Sequence, residues 1–244
     1  MRNLLALLLL GSSWAMASEM EKRIEYNGVV YRTVVAEPKD VQLFWKDETG
    51  RPIRQFSALQ ALLASKGLKP RLLMNGGIFE DGGTPSGLFV SEGREYHPLN
   101  LANAPGNFFF KPNGVFYVVG DRAGVVSSEV YAGLSLKPRI AVQSGPLLLR
   151  GGKTHPGFKK DSTSYLHRNG VGILKDGRVL FAITEFGQKQ YVNFYEFAEF
   201  FQSQGCENAL FLDGTISQMV TDPKGPVAPG NDFGSIIAIT EPAH

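Results

Sequence analysis

The sequence contains very little cysteine and histidine, and this shortage excludes several classes of site. Its one cysteine, Cys206, excludes an intramolecular disulfide and a cysteine-based zinc site. The histidines are His97, His155, His167 and His244. Their scattered positions do not support a metal site with the usual histidine spacing. We expect no cofactor, although the acidic residues leave a hard cation such as Ca²⁺ open. Cys206 follows a helix pattern and precedes an apolar strand, which favours a small packed residue over a reactive thiol.

The chain also has no large excess of charge and no linker or internal repeat. Its formal net charge is +2 over 244 residues, unlike the dense basic face that is typical of nucleic-acid-binding proteins. No P-loop, nucleophile-elbow or zinc-protease motif is present. From this low net charge we expect no nucleic-acid partner. No basic amphipathic helix follows the N-terminal segment, so we also expect no membrane anchor.

The first 17 residues have the pattern of a secretory signal peptide. A short basic start precedes the seven-residue apolar run 4–10, and Ala15-Met16-Ala17 fits a small-x-small cleavage site. The run is too short to span a bilayer, which needs about 20 residues, and the alternative is a buried N-terminal helix. We predict cleavage near Ala17 and a periplasmic or secreted protein. Residues 18–244 are expected to form a single domain.

Strand patterns dominate the remainder of the chain. Glycine accounts for 28 of the 244 residues, which indicates many tight turns. Residues 170–174 and 179–183 predict a hairpin across an Asp-Gly turn, and residues 108–110 and 115–119 predict another across Asn-Gly. Together with a few helices, these strands predict an α+β domain built on a large mixed or antiparallel β-sheet.

Two segments have convincing helical patterns. Ser57 and Gln60 form a capping-box pattern that predicts a helix start, and Gly67 would end this helix. Asn193 can cap the second helix, in which aromatic residues recur on one face, and Gly205 would end it. We interpret the aromatic stripe as core packing rather than as a cofactor site.

Two glycine-rich segments carry polar residues beside apolar strands. In residues 74–81, Asn75 precedes Gly76 and Gly77, and its amide suits a sugar hydroxyl or a phosphate oxygen. The alternative is a tight turn with a left-handed asparagine. In residues 143–146, backbone N–H groups near Ser144 and Gly145 could bind an anion. The alternative there is a bulge before the next strand.

Two further segments carry groups suited to acid–base chemistry and anion binding. His167 could transfer a proton near neutral pH, and Arg168 suits a phosphate or carboxylate, unless it lies on a solvated strand edge. Asp213 ends a fully apolar strand, so it is functional, a turn former or a helix N-cap, and no helix pattern follows for it to cap. Glu185 ends another strand and could be a second carboxylate for work on a glycosidic bond.

Taken in order, these segments resemble the phosphodiester glycosidase family, in particular a bacterial exported member. The segments are Asn75-Gly76-Gly77-Ile78-Phe79, Ser144-Gly145-Pro146-Leu147, Arg168-Asn169-Gly170-Val171-Gly172 and Leu212-Asp213-Gly214. The resemblance covers about residues 70–240. It implies hydrolysis of the bond between the anomeric carbon of a sugar and a phosphodiester oxygen, in a small molecule or a glycan.

The resemblance also implies roles for individual residues. Asp213, Glu185 and Arg168 would be catalytic: Arg168 would bind the departing phosphate, and Asp213 or Glu185 would activate water or stabilise the transition state. The substrate-binding set would be Asn75, Gly76, Gly77, Ser144, Gly145, His167, Gly214, Thr215 and Ser217.

Two other functions are compatible with the same residues. A non-catalytic binding module for an envelope glycan or an anionic polymer would need Arg168 and Asn75 but not Asp213. A structural envelope protein without a small ligand would need none of them. This third hypothesis predicts that the four segments lie far apart in space.

Overall fold

The computed structural model of the protein describes residues 21–221 and 232–243. Within these ranges it has sixteen strands and three α-helices. The first eight strands are β1 Glu21–Tyr26, β2 Val29–Ala36, β3 Val41–Phe44, β4 Leu68–Asn75, β5 Phe89–Ser91, β6 Arg94–His97, β7 Gly114–Val119 and β8 Arg122–Ser127. The others are β9 Ile140–Ser144, β10 Leu147–Arg150, β11 Lys153–Thr154, β12 Asn169–Leu174, β13 Val179–Thr184, β14 Cys206–Asp213, β15 Met219–Val220 and β16 Ile236–Pro242. The helices are α1 Phe56–Ser65, α2 Ser128–Ala132 and α3 Phe194–Ser203. The predicted α+β class is confirmed.

The strands form three sheets rather than one. The main sheet has the order β1-β2-β13-β12-β14-β10-β11, the second β15-β4-β16-β3, and the third β6-β5-β9-β7-β8. Every strand pair in them is antiparallel. Strands β12 and β14 lie inside the main sheet and β4 inside the second, so the backbone at each site segment is held on both sides.

One apolar core is shared by all three sheets. Phe181 of the main sheet, Leu72 of the second and Phe116 of the third belong to the same buried cluster. Every residue of β13 is buried, as expected for a strand with both faces of its sheet covered. The shared core fixes the sheets relative to one another, and this brings the ends of β4 and β14 together.

Helix α3 covers the other face of the main sheet. It begins with a capping box in which Asn193 accepts from the Glu196 N–H and the Glu196 side chain accepts from the Asn193 N–H. Phe197 and Phe201 are fully buried against the sheet. The predicted cap and the predicted core stripe are both confirmed. Helix α1 covers the second sheet in the same way, through Leu59 and its neighbours.

Glycines in β12 allow helix α3 to approach the main sheet closely. A Cβ atom on Gly172 would lie 2.7 Å from Cys206 Sγ and 2.8 Å from Phe201 Cδ1. A Cβ atom on Gly170 would lie 2.8 Å from the Leu210 carbonyl oxygen. These contacts are too short for a methyl group, so both glycines serve packing. Cys206 is buried and unpaired as predicted, and burial raises the pKa of its thiol to about 12.

Substitution of Gly172 by alanine should therefore destabilise the fold. We expect Gly172→Ala to lower the free energy of unfolding by about 1–3 kcal/mol, because the added methyl overpacks the helix–sheet contact. Gly133→Ala is the matched control: its Cβ would have one neighbour, the Val130 oxygen at 3.5 Å, so we expect a change within about 0.5 kcal/mol. Urea denaturation measures both. Equal losses in the two variants would contradict the packing role.

Local sequence signals predicted some elements well and others wrongly. The hairpin over residues 170–183 is confirmed as the β12–β13 pair. The hairpin over residues 108–119 is wrong, because Asn113 Nδ2 donates to the Phe108 oxygen at 2.7 Å and closes a loop instead. Helix α1 begins at Phe56 rather than after a Ser57 cap, because buried Phe56 packs on Phe233 with ring centroids 4.7 Å apart.

The N-terminal prediction concerns a part of the chain that is not described. The signal peptide and the cleavage position near Ala17 lie outside the described residues. Within residues 21–221 and 232–243, no helix is both long and apolar enough to cross a membrane.

Candidate functional site

Asp213 lies at the end of β14, where a buried strand reaches the edge of the core. The three residues before it are fully buried, and Asp213 itself is partly exposed. Its Oδ1 accepts from the Gly214 N–H at 2.7 Å, and its Oδ2 accepts from Asn75 Nδ2 at 3.3 Å. Burial raises the pKa of Asp213 to about 6, while these two hydrogen bonds oppose the rise. The carboxylate is therefore ionised at neutral pH and can take up a proton slightly below it.

Asn75 orients Asp213, and its own orientation is fixed. Asn75 is fully buried at the end of β4, and its Oδ1 accepts from the backbone N–H of Gln218 at 2.9 Å. A backbone N–H can only donate, so this end of the Asn75 amide must be the oxygen. The NH₂ group of Asn75 must then face Asp213.

Asn169 connects Asn75 with Asp213. It was not among the candidate residues from the sequence. Its Nδ2 donates to Asn75 Oδ1 at 3.1 Å and to the Asn75 carbonyl oxygen at 3.0 Å. Its Oδ1 accepts from the backbone N–H of Asp213 at 2.8 Å. The signal that would reveal this role is the pairing of Asn169 with Asp213 across β12 and β14.

Arg168 is a buried cation with no carboxylate partner. It is 1% exposed, its guanidinium carbon lies 3.8 Å from the ring centroid of Phe194, and it forms no ion pair with the described residues. Nε donates to the Val192 oxygen at 3.0 Å and Nη2 to the Ser164 oxygen at 2.9 Å. Nη1 is buried and has no hydrogen-bond partner there. Burial lowers the pKa of Arg168 to about 10, so it stays charged at neutral pH.

Arg168 and Asp213 line the same cavity, which has a volume of about 350 Å³. Gly214 and Thr215 also line it, and its other walls come from Ile78, Phe79, Asn107, Leu166, Phe211 and Ile216. A buried charge is costly unless it is compensated, so an anion in this cavity would stabilise Arg168. The cavity thus combines an anion-attracting charge with a carboxylate able to accept a proton.

The remaining glycines of the candidate set shape the backbone around this cavity. A Cβ on Gly76 would clash with Ser235 Oγ, and one on Gly77 would lie 2.7 Å from the Gln143 oxygen. The loop after β4 can therefore pack against β9 and the chain before β16 only with glycine at both positions. Neither residue lines the Arg168 cavity.

Ser144 and Gly145 have a similar supporting position. The Ser144 hydroxyl donates to the Leu212 oxygen at 2.7 Å and accepts from the Ile78 N–H at 3.2 Å. A Cβ on Gly145 would lie 2.6 Å from the Asn113 Cβ. Ser144 thus ties the loop after β4 to the end of β14, and neither residue lines the cavity.

His167 faces a second cavity, of about 250 Å³, which Thr215 and Ser217 also line. Its Nε2 lies 2.9 Å from the Ser217 carbonyl oxygen and its Nδ1 lies 2.8 Å from Thr184 Oγ1. A carbonyl oxygen only accepts, so Nε2 carries the hydrogen and Nδ1 accepts from the Thr184 hydroxyl. Burial lowers the pKa of His167, so the ring is neutral and holds the turn after Asp213 in place.

Glu185 lies apart from Asp213. It follows β13, and its carboxylate is 3.0 Å from Arg23 Nη2. The order β13-β12-β14 places it two strands from Asp213, or about 10 Å at the usual strand spacing. Glu185 lines neither the Arg168 cavity nor the His167 cavity. The structure therefore does not bring the two carboxylates together.

Other parts of the described chain offer weaker sites. Residues 21–221 and 232–243 contain no group of three or more His, Cys, Asp or Glu side chains placed to hold a metal ion. A cavity of about 370 Å³ lies beside β3 and β6, away from Asp213. Some of the charges in it are paired, as in the Lys66–Glu48 ion pair at 2.8 Å. The Arg168 cavity differs from it in having a fully buried guanidinium whose Nη1 has no hydrogen-bond partner among the described residues.

Solved structures share this fold at low sequence identity. The catalytic domain of zebrafish N-acetylglucosamine-1-phosphodiester alpha-N-acetylglucosaminidase, auto-inhibited by its pro-peptide, matches with a TM-score of 0.63 and 17% identity, over 90% of this chain and 81% of that one. A hypothetical protein from Synechocystis matches with a TM-score of 0.56 and 14% identity, over 90% of this chain and 61% of that one. A putative exported protein from Burkholderia pseudomallei matches with a TM-score of 0.56 and 12% identity, over 86% of this chain and 74% of that one.

Sequence comparison identifies the family. The uncharacterized protein YigE of Escherichia coli (strain K12) is 36% identical over 209 residues, which is 85% of this chain and 79% of that protein. The sequence model described as phosphodiester glycosidase matches residues 70–238. That range contains β12, β14 and most of β4, and it includes Asn75, Arg168 and Asp213. The resemblance to the family is confirmed, and the chain belongs to the phosphodiester glycosidase family.

Proposed function

We propose that this protein hydrolyses the bond between the anomeric carbon of a sugar and a phosphodiester oxygen. The observation that carries the proposal is the placement of Arg168 and Asp213 on one cavity. The guanidinium charge has no counter-ion among the described residues, and a phosphodiester would supply one. Family membership supports the same reaction class.

In the proposed reaction, Asp213 acts as the base and Arg168 as the electrostatic stabiliser. The Asp213 carboxylate takes a proton from water while the water oxygen forms a bond to the anomeric carbon. The bond from that carbon to the phosphate oxygen breaks, and its electron pair stays on the phosphate. Arg168 favours the charge that develops on this leaving group. The products are a free sugar and a phosphate monoester.

Asn75 and Asn169 are proposed as positioning residues, which revises the direct sugar-binding role expected for Asn75. The Asn75 amide is occupied by Asp213, Asn169 and Gln218. Ser144, Gly145, Gly76 and Gly77 are proposed to hold the surrounding backbone. Glu185 receives no role in the reaction, because its carboxylate pairs with Arg23.

An activity screen tests the proposal. The purified protein would be incubated with sugar-1-phosphodiesters, including UDP-N-acetylglucosamine, with and without EDTA. Release of free sugar by the wild type and not by Asp213→Asn is the expected result. Absence of release from every diester, with folded protein, would contradict it.

One observation favours a binding module as the second candidate. Among the residues that line the Arg168 cavity, Asp213 is the single carboxylate, whereas many glycosidases use two. A binding module would retain a phosphodiester without turnover. It would lose this affinity in Arg168→Ala and keep it in Asp213→Asn.

The pH dependence should report Asp213. We expect kcat/KM to rise with pH through a limb near pH 6, because the base must be deprotonated and burial raises the pKa of Asp213 to about 6. Asn75→Ala should move the limb to higher pH, since the lost hydrogen bond stabilises the carboxylate. His167→Gln is the control and should leave the limb in place. A limb that disappears in His167→Gln would contradict the assignment.

We also propose that the protein is exported and works on an envelope or extracellular sugar phosphodiester. The N-terminal pattern of residues 1–17 supports export. N-terminal sequencing of the protein recovered from producing cells should find a chain that begins near residue 18. Protein with an intact N-terminus in the periplasm or the culture medium would contradict this expectation.

A further inference from the structure

The cavity beside His167 has an unusual rim and an apolar wall. Phe186 stands at its edge and is 79% exposed, the highest exposure among the large hydrophobic side chains described as exposed. Ile183, Met219 and Val220 form the wall behind it. Contiguous exposed apolar surface with a polar rim is typical of ligand-binding grooves.

The charged and titratable groups around this cavity are neutral or compensated. Arg32 pairs with Glu21, with Nε at 2.6 Å from Oε1 and Nη2 at 3.1 Å from Oε2. Burial lowers the pKa of His167 and keeps the ring neutral, while the contacts with Thr184 and the Ser217 carbonyl fix its orientation. An ionic ligand would therefore find no free counter-charge here, in contrast to the cavity that contains Arg168.

Unpartnered polar atoms lie beside the same apolar wall. Ser217 Oγ and Gln218 Oε1 are buried without a hydrogen-bond partner among the described residues, and both residues line the cavity. Rotation of either side chain would present a hydroxyl or an amide oxygen to a ligand. Thr215 adds an exposed hydroxyl. The cavity thus offers an apolar face with a few neutral hydrogen-bonding groups, which suits an uncharged ring that carries hydroxyls.

The two cavities meet at one residue. Thr215 lines both of them, Asp213 and Gly214 line the charged one, and Ser217 and Gln218 line the neutral one. The six-residue segment 213–218, in which the Ser217 N–H donates to the Gly214 oxygen at 2.8 Å, therefore forms a wall of both cavities. A substrate with one anionic and one neutral part could occupy the two cavities at once.

We propose that the His167 cavity is a subsite for an uncharged sugar ring, which stacks on Phe186. That this ring is part of the phosphodiester substrate rests on the proposed function. The volume of about 250 Å³ suits one ring rather than a chain of several. The protein would then select diesters by a neutral ring beside the anion, and diesters without a ring would be poorer ligands.

Direct binding of neutral sugars tests the subsite without any need for turnover. Glucose and N-acetylglucosamine would be titrated into the full-length protein, and binding followed by saturation-transfer NMR and calorimetry. We expect millimolar binding to the wild type, weakened about two- to twelvefold in Phe186→Ala, because an aromatic contact contributes about 0.5–1.5 kcal/mol. Phe186→Trp should retain the affinity.

Two controls separate this subsite from the charged cavity. Tyr165→Ala removes another exposed aromatic side chain, one that lines neither cavity, and should leave sugar binding unchanged. Inorganic phosphate should bind Phe186→Ala as it binds the wild type, and should lose affinity in Arg168→Met. Neutral sugar should bind Arg168→Met normally.

The outcomes distinguish this inference from the proposed function. No sugar binding at millimolar concentration, or binding that Phe186→Ala leaves intact, overturns the subsite while hydrolysis of diesters can still be observed. Sugar binding that depends on Phe186 without hydrolysis of any diester supports the subsite and contradicts the proposed reaction.

Discussion

Replacement of Asp213 by asparagine is expected to reduce hydrolysis by about 100- to 10,000-fold, the usual contribution of a general base. Asparagine has nearly the same shape, and its Oδ1 can still accept from the Gly214 N–H that now bonds the carboxylate at 2.7 Å. It cannot accept a proton from water. Initial rates with a sugar-1-phosphodiester measure the loss, and binding of the diester should remain close to the wild-type value.

The same substitution should stabilise the folded protein at neutral pH. The pKa of Asp213 is about 6 when folded, against an ordinary value of 3.8, so the folded state binds the proton more tightly than the unfolded state. The resulting stabilisation is fully present below about pH 4 and is lost as the pH rises through 6. At pH 7 the ionised carboxylate thus costs at most about 3 kcal/mol, which Asp213→Asn would recover in part.

Part of this gain will be lost to an unfavourable contact. The Asn75 NH₂ group faces Asp213 Oδ2 at 3.3 Å, and in the variant it would face another NH₂ group. Asp176→Asn is the matched control, because Asp176 lies on an exposed turn and pairs with Arg178. It should change neither the rate nor the stability curve near pH 6. Full activity in Asp213→Asn would contradict the assignment of the base.

The sequence was informative where structure depends on neighbouring residues. The hairpin of β12 and β13 follows from the Asp176-Gly177 turn, and the start of α3 follows from the Asn193 cap. Both signals lie within a few residues of the structure that they determine. Family resemblance also pointed to Arg168 and Asp213, which the fold places on one cavity.

The sequence was less informative where strand order and register decide. Asp213 and Glu185 are both carboxylates that follow apolar strands, and nothing local separates them. The strand order β13-β12-β14 distinguishes them, because it places Glu185 beside Arg23 and away from Asp213. The role of Asn169 likewise depends on its pairing with Asp213, which is 44 residues away. Non-local pairings of this kind are not encoded in the periodicity of either strand.

Removal of the Arg168 charge is expected to weaken phosphate binding by about 10- to 100-fold, the usual contribution of a hydrogen bond or contact to a charged group. Arg168→Met keeps an unbranched side chain that can pack on Phe194 but carries no charge. Arg168→Lys keeps the charge but lacks the guanidinium group, which donates to the Val192 and Ser164 oxygens at the same time. Calorimetric titration with inorganic phosphate, and rates with a diester, measure both variants.

The pair of variants separates binding from scaffolding. If Arg168 attracts the anion through its charge, Arg168→Lys should retain more phosphate affinity than Arg168→Met, although both lose the tie between Ser164 and Val192. If Arg168 only holds these loops, the two variants should lose stability equally, and the phosphate affinity should be the same in both. Arg122→Ala, at an exposed position on β8, serves as the control for general surface charge. Unchanged phosphate affinity in Arg168→Met would leave Arg168 as a structural residue, and the anion would then need another cation to hold it.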